Sequence, residues 1–197
     1  MRTGHEGCIW IVEFEPHDHC DESCLDAASR QRYEQMAVPQ RRRLFALRRR
    51  ARQLIEQALP SGAGTSISSS HSGRWFAFYV GNQAVGIDLE QLGGPVDLAA
   101  LAEHFPHAFP PGPGQPLPAP LRALEGHLRW SRLEAEIKHT GQTLHQRLAQ
   151  PQPAAAQAHT YSAVFSAHYI AVFSRRRGVP MPRVVQLRYS NLAGASQ

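Results

Sequence analysis

Apolar runs are short throughout this chain, and none reaches the roughly eighteen residues that a membrane-spanning helix requires. Met1 to Gly7 lacks the charged-then-apolar order of a secretory signal, so a cytoplasmic protein is the expectation. Cysteine is equally scarce. Cys8, Cys20 and Cys24 form an odd set without the spacing of a disulfide framework, which suits a reducing compartment. No repeat of solenoid length is present, which removes stacked-repeat architectures.

What the chain does have is positive charge and enough length for a core. Its 197 residues fit one large domain or two small halves. The formal net charge is +5 with a sequence pI near 9.6, a balance that suits an anionic partner: nucleic acid, a polyphosphate cofactor or an acidic protein. The excess gathers in two arginine clusters, Arg41 to Arg52 and Arg175 to Arg177.

Cys8 to Phe14 alternates as an opening strand. After a polar loop, Asp21 or Ser23 can cap a helix running to about Met36. Pro39 suits the first turn of a second helix, in which Leu44, Leu47, Ala51, Leu54, Ile55 and Ala58 recur at helical spacing. Thr65 to Ser70 predicts a short strand, and Trp75 to Val80 with Gln83 to Glu90 predict a hairpin around Gly81-Asn82. A helix is expected from about Val96 to His104. Residues 106 to 120 hold seven prolines and should form an irregular loop. A long amphipathic helix follows from about Leu121 to His139, closed by Gly141. Beyond a loop over Gln150 to Gln157, an antiparallel pair (Thr160 to Phe165, Tyr169 to Ser174) and a last strand (Arg183 to Tyr189) complete the chain. The order reads as an α+β protein of two similar halves, 1–92 and 93–197.

Three local patterns can carry chemistry. In Val85-Gly86-Ile87-Asp88-Leu89-Glu90, strand alternation puts Asp88 and Glu90 on one face while Ile87 and Leu89 enter the core. Adjacent carboxylates repel unless solvated or bridged by a cation. A solvated strand end gives the same pattern, however. Trp130, Glu134 and Lys138 stand at i, i+4 and i+8 on one helix face, where an ordinary Glu–Lys pair contributes only about 0.3–0.5 kcal/mol. Ser70-His71-Ser72-Gly73-Arg74 at a strand end can hold a phosphate, or can simply be a hydroxyl-capped turn. His17-Asp18-His19-Cys20 with Cys24 offers zinc-type ligands, but the spacing fits no standard finger. Trp75, Phe76, Phe78 and Tyr79 could stack on an adenine, but their alternation more simply describes a strand packing one face.

Taken in order, these pieces resemble the 4′-phosphopantetheinyl transferase superfamily, in its larger single-chain branch of two similar halves. The middle signature of that family is matched by Ser70-His71-Ser72-Gly73-Arg74-Trp75 and Gly86-Ile87-Asp88-Leu89-Glu90. The later Trp-x-x-x-Glu-Ala-x-x-Lys signature is matched by Trp130 to Lys138. The helix through Arg43, Arg48 and Arg52 is similar to the arginine-bearing helix ahead of the middle signature, and the resemblance spans about residues 8 to 174. It implies a pseudo-twofold α+β fold and a holo-carrier-protein synthase activity. The reaction moves phosphopantetheine from coenzyme A to a serine of an acyl, aryl or peptidyl carrier and releases adenosine 3′,5′-bisphosphate. It further implies magnesium on Asp88, Glu90 and Glu134, Glu134 as base, and Lys138 as a stabiliser of phosphate charge. Arg48, Arg52, Ser70 and His71, with Lys138, are the implied coenzyme A contacts, and the protein is expected to act as a monomer without nucleic acid or membrane. The resemblance leaves the carrier open among fatty-acid, polyketide, peptide and pigment synthesis. Three departures stand out. Leu133 replaces a common Lys, a Gly-Lys-Pro turn is missing from Pro60 to Gly64, and Pro106 to Pro120 replaces an acidic helical segment. A diverged relative that binds coenzyme A or a carrier without transfer is the alternative. Nucleic-acid binding by the basic helix would leave the carboxylates unexplained and would weaken steeply with salt.

Overall fold

The computed structural model describes residues 7–59, 66–93, 98–106, 109, 118–149 and 159–194, and these form a mixed α+β structure with two sheets. Strand β1 (Cys8–Glu13) leads through a short 3-10 turn (Glu22–Cys24) into helices α1 (Ala27–Glu34) and α2 (Pro39–Ala58). Strands β2 (Ser66–Ser72), β3 (Trp75–Gly81) and β4 (Val85–Gln91) follow, then α3 (Leu98–His104), α4 (Ala119–Thr140) and α5 (Leu144–Ala149). Strands β5 (His159–Phe165), β6 (Tyr169–Arg176) and β7 (Arg183–Arg188) precede a final short helix, α6 (Tyr189–Gly194).

Sheet order is β2-β3-β1-β7 in the first sheet and β4-β6-β5 in the second. Strand β1 pairs antiparallel with β3 and parallel with β7, which returns from the end of the chain. Alternation sorts β1 and β3 onto two cores. Ile9, Ile11, Trp75, Ala77 and Tyr79 meet Val85, Ile87 and Leu89 of β4 between the sheets. Val12, Phe76, Phe78 and Val80 face the other way, against Leu47, Ala51, Leu54 and Ile55 of α2. On the far side of the second sheet, Ala135 of α4 packs on Ile170 and Val172 of β6. The layers are therefore α2, first sheet, second sheet, α4. Among the described residues no helix is long and apolar enough to cross a membrane.

The hairpin expected around Gly81-Asn82 does not form. Both edges of β3 are already taken by β1 and β2, so the chain leaves the first sheet and β4 pairs with β6 in the second. The tight turn lies instead at Gly73-Arg74, joining β2 to β3, and Gly73 supplies its positive φ of 53°. The helix expected from Asp21 to Met36 is divided. Asp21 accepts the Ser23 amide and caps the 3-10 turn, while Asp26 accepts the Ser29 amide and starts α1 afresh. Helix α2 opens on Pro39 as expected, and α4 ends at Gly141 in the left-handed conformation. Helices α5 and α6 were not anticipated by the pattern. Most of the proline-rich segment, the Pro60 to Gly64 connection, the start of the helix expected at Val96, and the Gln150 to Gln157 loop lie outside the described residues.

One contact sets the position of α4. A Cβ added at Gly86 would stand 1.9 Å from the Ala135 carbonyl oxygen and 2.5 Å from the His139 backbone nitrogen. Only a glycine lets the helix backbone lie directly on β4, with Glu134 and Lys138 next in sequence to the contacting residues Ala135 and His139 and together on one helix face. Overpacking of this kind typically costs about 1–3 kcal/mol. Gly86→Ala should therefore lower the melting temperature by several degrees, as read by thermal unfolding. An unchanged melting temperature would mean that α4 lies further from the sheet.

Candidate active site

Strands β2 and β4 each stand at an end of their own sheet, and they meet through side chains rather than through a backbone ladder. Serines at alternate positions of β2 turn toward β4. Ser68 Oγ accepts the Ile87 amide at 3.1 Å, Ser70 Oγ donates to Asp88 Oδ1 at 2.9 Å, and Ser72 Oγ donates to Glu90 Oε2 at 3.1 Å. This serine ladder fixes both carboxylates of the Gly-Ile-Asp-Leu-Glu strand. The sequence pattern gives no role to Ser68 and places Ser72 only in the Ser-His-Ser turn. The signal was present, because the serines recur with the same period of two as the carboxylates that they meet.

Helix α4 supplies the remaining groups. Lys138 Nζ donates to Asp88 Oδ1 at 2.8 Å and to Ser70 Oγ at 3.0 Å, and lies 3.9 Å from Glu134 Oε2. It is the single lysine of the chain, among twenty arginines. A compact ammonium fits this three-way contact where a planar guanidinium would not. Asp88 is only 3% exposed, and its second oxygen, Oδ2, is buried without a hydrogen-bond partner among the described residues. Burial raises the Glu90 pKa, and the neighbouring Asp88 charge adds to it, while Ser72 and Lys138 oppose. Burial likewise raises Glu134, with Lys138 opposing and Asp88 adding. A carboxyl raised on folding binds more protons folded than unfolded. Both glutamates therefore weaken the free fold as pH rises from about 4.5 through their raised values.

Among the described residues, no three His, Cys, Asp or Glu side chains are disposed as a ready metal cage. Lys138 bridges Asp88 and Glu134 instead. The donor chemistry nevertheless suits a hard divalent cation: the groups are carboxylate oxygens, and among the described residues Asp88 Oδ2 has no donor.

The opposite face of β2 is cationic. Ser69 and His71 line a cavity of about 760 Å³ together with Arg48, Arg49 and Arg52 of α2, Arg32 of α1 and Phe76. Among the described residues Arg32, Arg48 and Arg49 make no close ion pair, Arg49 having only the longer-range attraction of Asp26, whereas Arg52 pairs with Glu56 at 2.9 Å. Arg32 and Arg49 both lie on the Phe45 ring, at 5.7 and 5.2 Å from its centroid. Burial, then the Arg32 and Arg49 charges, lowers the Arg48 pKa to about 10. The His71 ring is open to solvent on one side. Burial of the remainder, followed by the charges of Arg48 and Lys138, pushes its pKa down to about 4, against the pull of Asp88.

The residues singled out in the sequence thus fall into two groups across one strand. Asp88, Glu90, Glu134, Lys138 and Ser70 gather on the α4 side, and Arg48, Arg52 and His71 gather on the α2 side. Arg32 and Arg49 join the second group without having been foreseen, since helical spacing does not show which arginines face a cavity. Leu133 is buried against Phe109 and Ile137, so an apolar residue fits that position. The sequence matches no protein-family model and no curated protein.

Proposed function

We propose that the chain transfers 4′-phosphopantetheine from coenzyme A to a serine of an apo carrier protein, as a cytoplasmic monomer of the pseudo-twofold 4′-phosphopantetheinyl transferase type with halves meeting near residue 92. What carries this reading is one convergence. Lys138 and Asp88, fifty residues apart in sequence, are hydrogen-bonded to each other and each to Ser70, which accepts from Lys138 and donates to Asp88, one strand's thickness from an arginine-lined cavity. A ligand with a diphosphate and a further phosphate, lying over the free edge of β2, can address both groups at once.

Each side chain then has a task. Arg48, Arg52 and His71 hold the 3′-phosphate and the diphosphate, arginine through its bidentate fork. Glu134, with its raised pKa, accepts the proton of the carrier serine. Lys138 is placed to follow negative charge onto the leaving phosphate, and Ser70 keeps Asp88 oriented. Asp88, Glu90 and Glu134 would hold magnesium, which, when bound, neutralises phosphate charge and aligns the diphosphate. The test is whether an apo carrier gains the phosphopantetheine mass. A second reading, binding of coenzyme A without transfer, is favoured by the Lys138 ammonium bridging Asp88 and Glu134. It predicts coenzyme A affinity with no carrier modification.

Cofactor recognition has its own test. His71→Ala should weaken coenzyme A by about 1.5–3 kcal/mol, roughly ten- to a hundredfold, and dephospho-coenzyme A far less. Equal weakening of the two ligands would remove His71 from the 3′-phosphate. The pH dependence has a definite sign. Partial burial and the neighbouring cations push the His71 pKa in the free fold down from its ordinary 6.5, to about 4. The unfolded chain therefore binds the extra proton between those values, and His71 destabilises the free fold as pH falls through that window. A bound phosphate raises the folded value, so the His71 share of affinity grows as pH falls below neutral and is absent from His71→Ala.

A further inference from the structure

Cys20 and Cys24 lie outside the site described above, on the other side of α2. Both are free thiols of intermediate exposure, and their sulfurs stand 3.0 Å apart. The chain holds them there by contacts that do not involve either sulfur. Asp21 Oδ1 accepts the Ser23 amide at 2.9 Å, tightening the turn that stacks residue 24 over residue 20. The Cys24 carbonyl accepts Gln53 Nε2 of α2 at 2.6 Å, which pins the second cysteine to the helix. Leu25, Phe45 and Ala46 pack beneath the pair. Of the neighbouring metal-type groups, His17 pairs with Glu15 at 3.1 Å and Asp18 accepts the Glu15 amide at 2.6 Å; His19 lines the same pocket as the two cysteines, but among the described residues no three such groups are disposed as a metal cage. A disulfide needs a sulfur separation of about 2.05 Å, so ring closure asks for a movement of only about 1 Å.

We infer that Cys20 and Cys24 form a preorganised dithiol, a modification site at which low-molecular-weight disulfides are reduced while an intrachain bond closes. The two sulfurs differ in their readiness. Burial, the hydrogen bond with Cys24 and the charge of Cys24 push Cys20 up to about 12, with Arg50 opposing, and Cys20 also donates to the Asp21 carbonyl at 3.3 Å. Because the Asp21 carbonyl engages the Cys20 proton, Cys24 is the sulfur that attacks first. Its thiolate attacks one sulfur of R–S–S–R, forming the mixed disulfide Cys24–S–S–R and expelling RS⁻. With the Cys24 thiol consumed, its contribution to holding the Cys20 proton is gone. The Cys20 thiolate then attacks the Cys24 sulfur, forming the Cys20–Cys24 bond and expelling the second RS⁻. The two protons released by the cysteines complete two RSH, and the two electrons pass from the dithiol to the small disulfide. Cys8 takes no part. It sits on β1, and burial raises its pKa.

The test uses the full reduced chain with excess oxidised glutathione, quenched by an alkylating reagent and read by intact mass and fragmentation. The mass of the wild type should fall by two hydrogens before alkylation, leaving Cys8 as the alkylated cysteine. Cys20→Ser should stop at a stable glutathione adduct on Cys24, and Cys24→Ser should form an adduct at Cys20 at least tenfold more slowly. Three alkylatable thiols after prolonged exposure would overturn the inference. So would a wild-type chain that halts at the mixed disulfide, or a bond that includes Cys8.

Discussion

Asp88→Ala should lower carrier modification by about a thousandfold or more, because it removes the carboxylate that Ser70, the single lysine and the proposed ion share. Magnesium supplies several kcal/mol of charge stabilisation to such a transfer, and each 1.4 kcal/mol is about tenfold in rate. The substitution also has a structural consequence. Crowded carboxylates considered alone predict that losing one relieves repulsion and stabilises the metal-free fold. The Lys138 contact reverses that sign. Asp88 Oδ1 accepts both Ser70 Oγ and Lys138 Nζ, and Asp88 is almost wholly buried. Truncation leaves those two donors with weaker partners, a loss of about 1–3 kcal/mol that a melting curve resolves. Near-normal turnover in Asp88→Ala would remove the carboxylate cluster from the chemistry altogether.

Glu134→Gln should separate binding from catalysis. The amide keeps the shape of the side chain and its place on α4, one turn before Lys138. Coenzyme A affinity should therefore change only a few-fold. The amide cannot accept the serine proton, and general-base catalysis contributes about a hundred- to ten-thousandfold, so kcat should fall by that amount. Burial raises the carboxyl pKa of Glu134 in the free chain, and a bound magnesium ion would lower it and keep the base ionised. Measured kcat and KM distinguish the roles. A variant that loses coenzyme A affinity in proportion to turnover would assign Glu134 to binding alone.

Much of this arrangement was legible in the sequence wherever a single element carried its own period. Helices α2 and α4, the β5–β6 pair and the alternation of Asp88 and Glu90 against Ile87 and Leu89 follow from spacing alone. Glu134 and Lys138 follow from their spacing on one helix. What spacing could not give was the choice of partner between elements. Gly81-Asn82 carries a strong local turn signal, yet whether β3 has a free edge depends on β1 and β2. Both faces of β2 are used: Ser70 faces Asp88 while His71 faces the arginines, so one short motif serves two environments. The bridge from Lys138 to Asp88 is likewise invisible until α4 is laid on Gly86. The charge of the cavity was foreseeable from the composition of α2. Its membership was not, because Arg32 comes from α1.

The proposed activity is tested most directly by intact mass spectrometry of apo acyl-, aryl- and peptidyl-carrier proteins incubated with the folded chain, coenzyme A and magnesium. At least one carrier should gain about 340 Da on a serine, the mass of one phosphopantetheine moved by phosphoryl transfer, with adenosine 3′,5′-bisphosphate released in equal amount. Unmodified carriers across a broad panel, with coenzyme A demonstrably bound to the chain, would contradict the transferase and leave a coenzyme A-binding relative in its place.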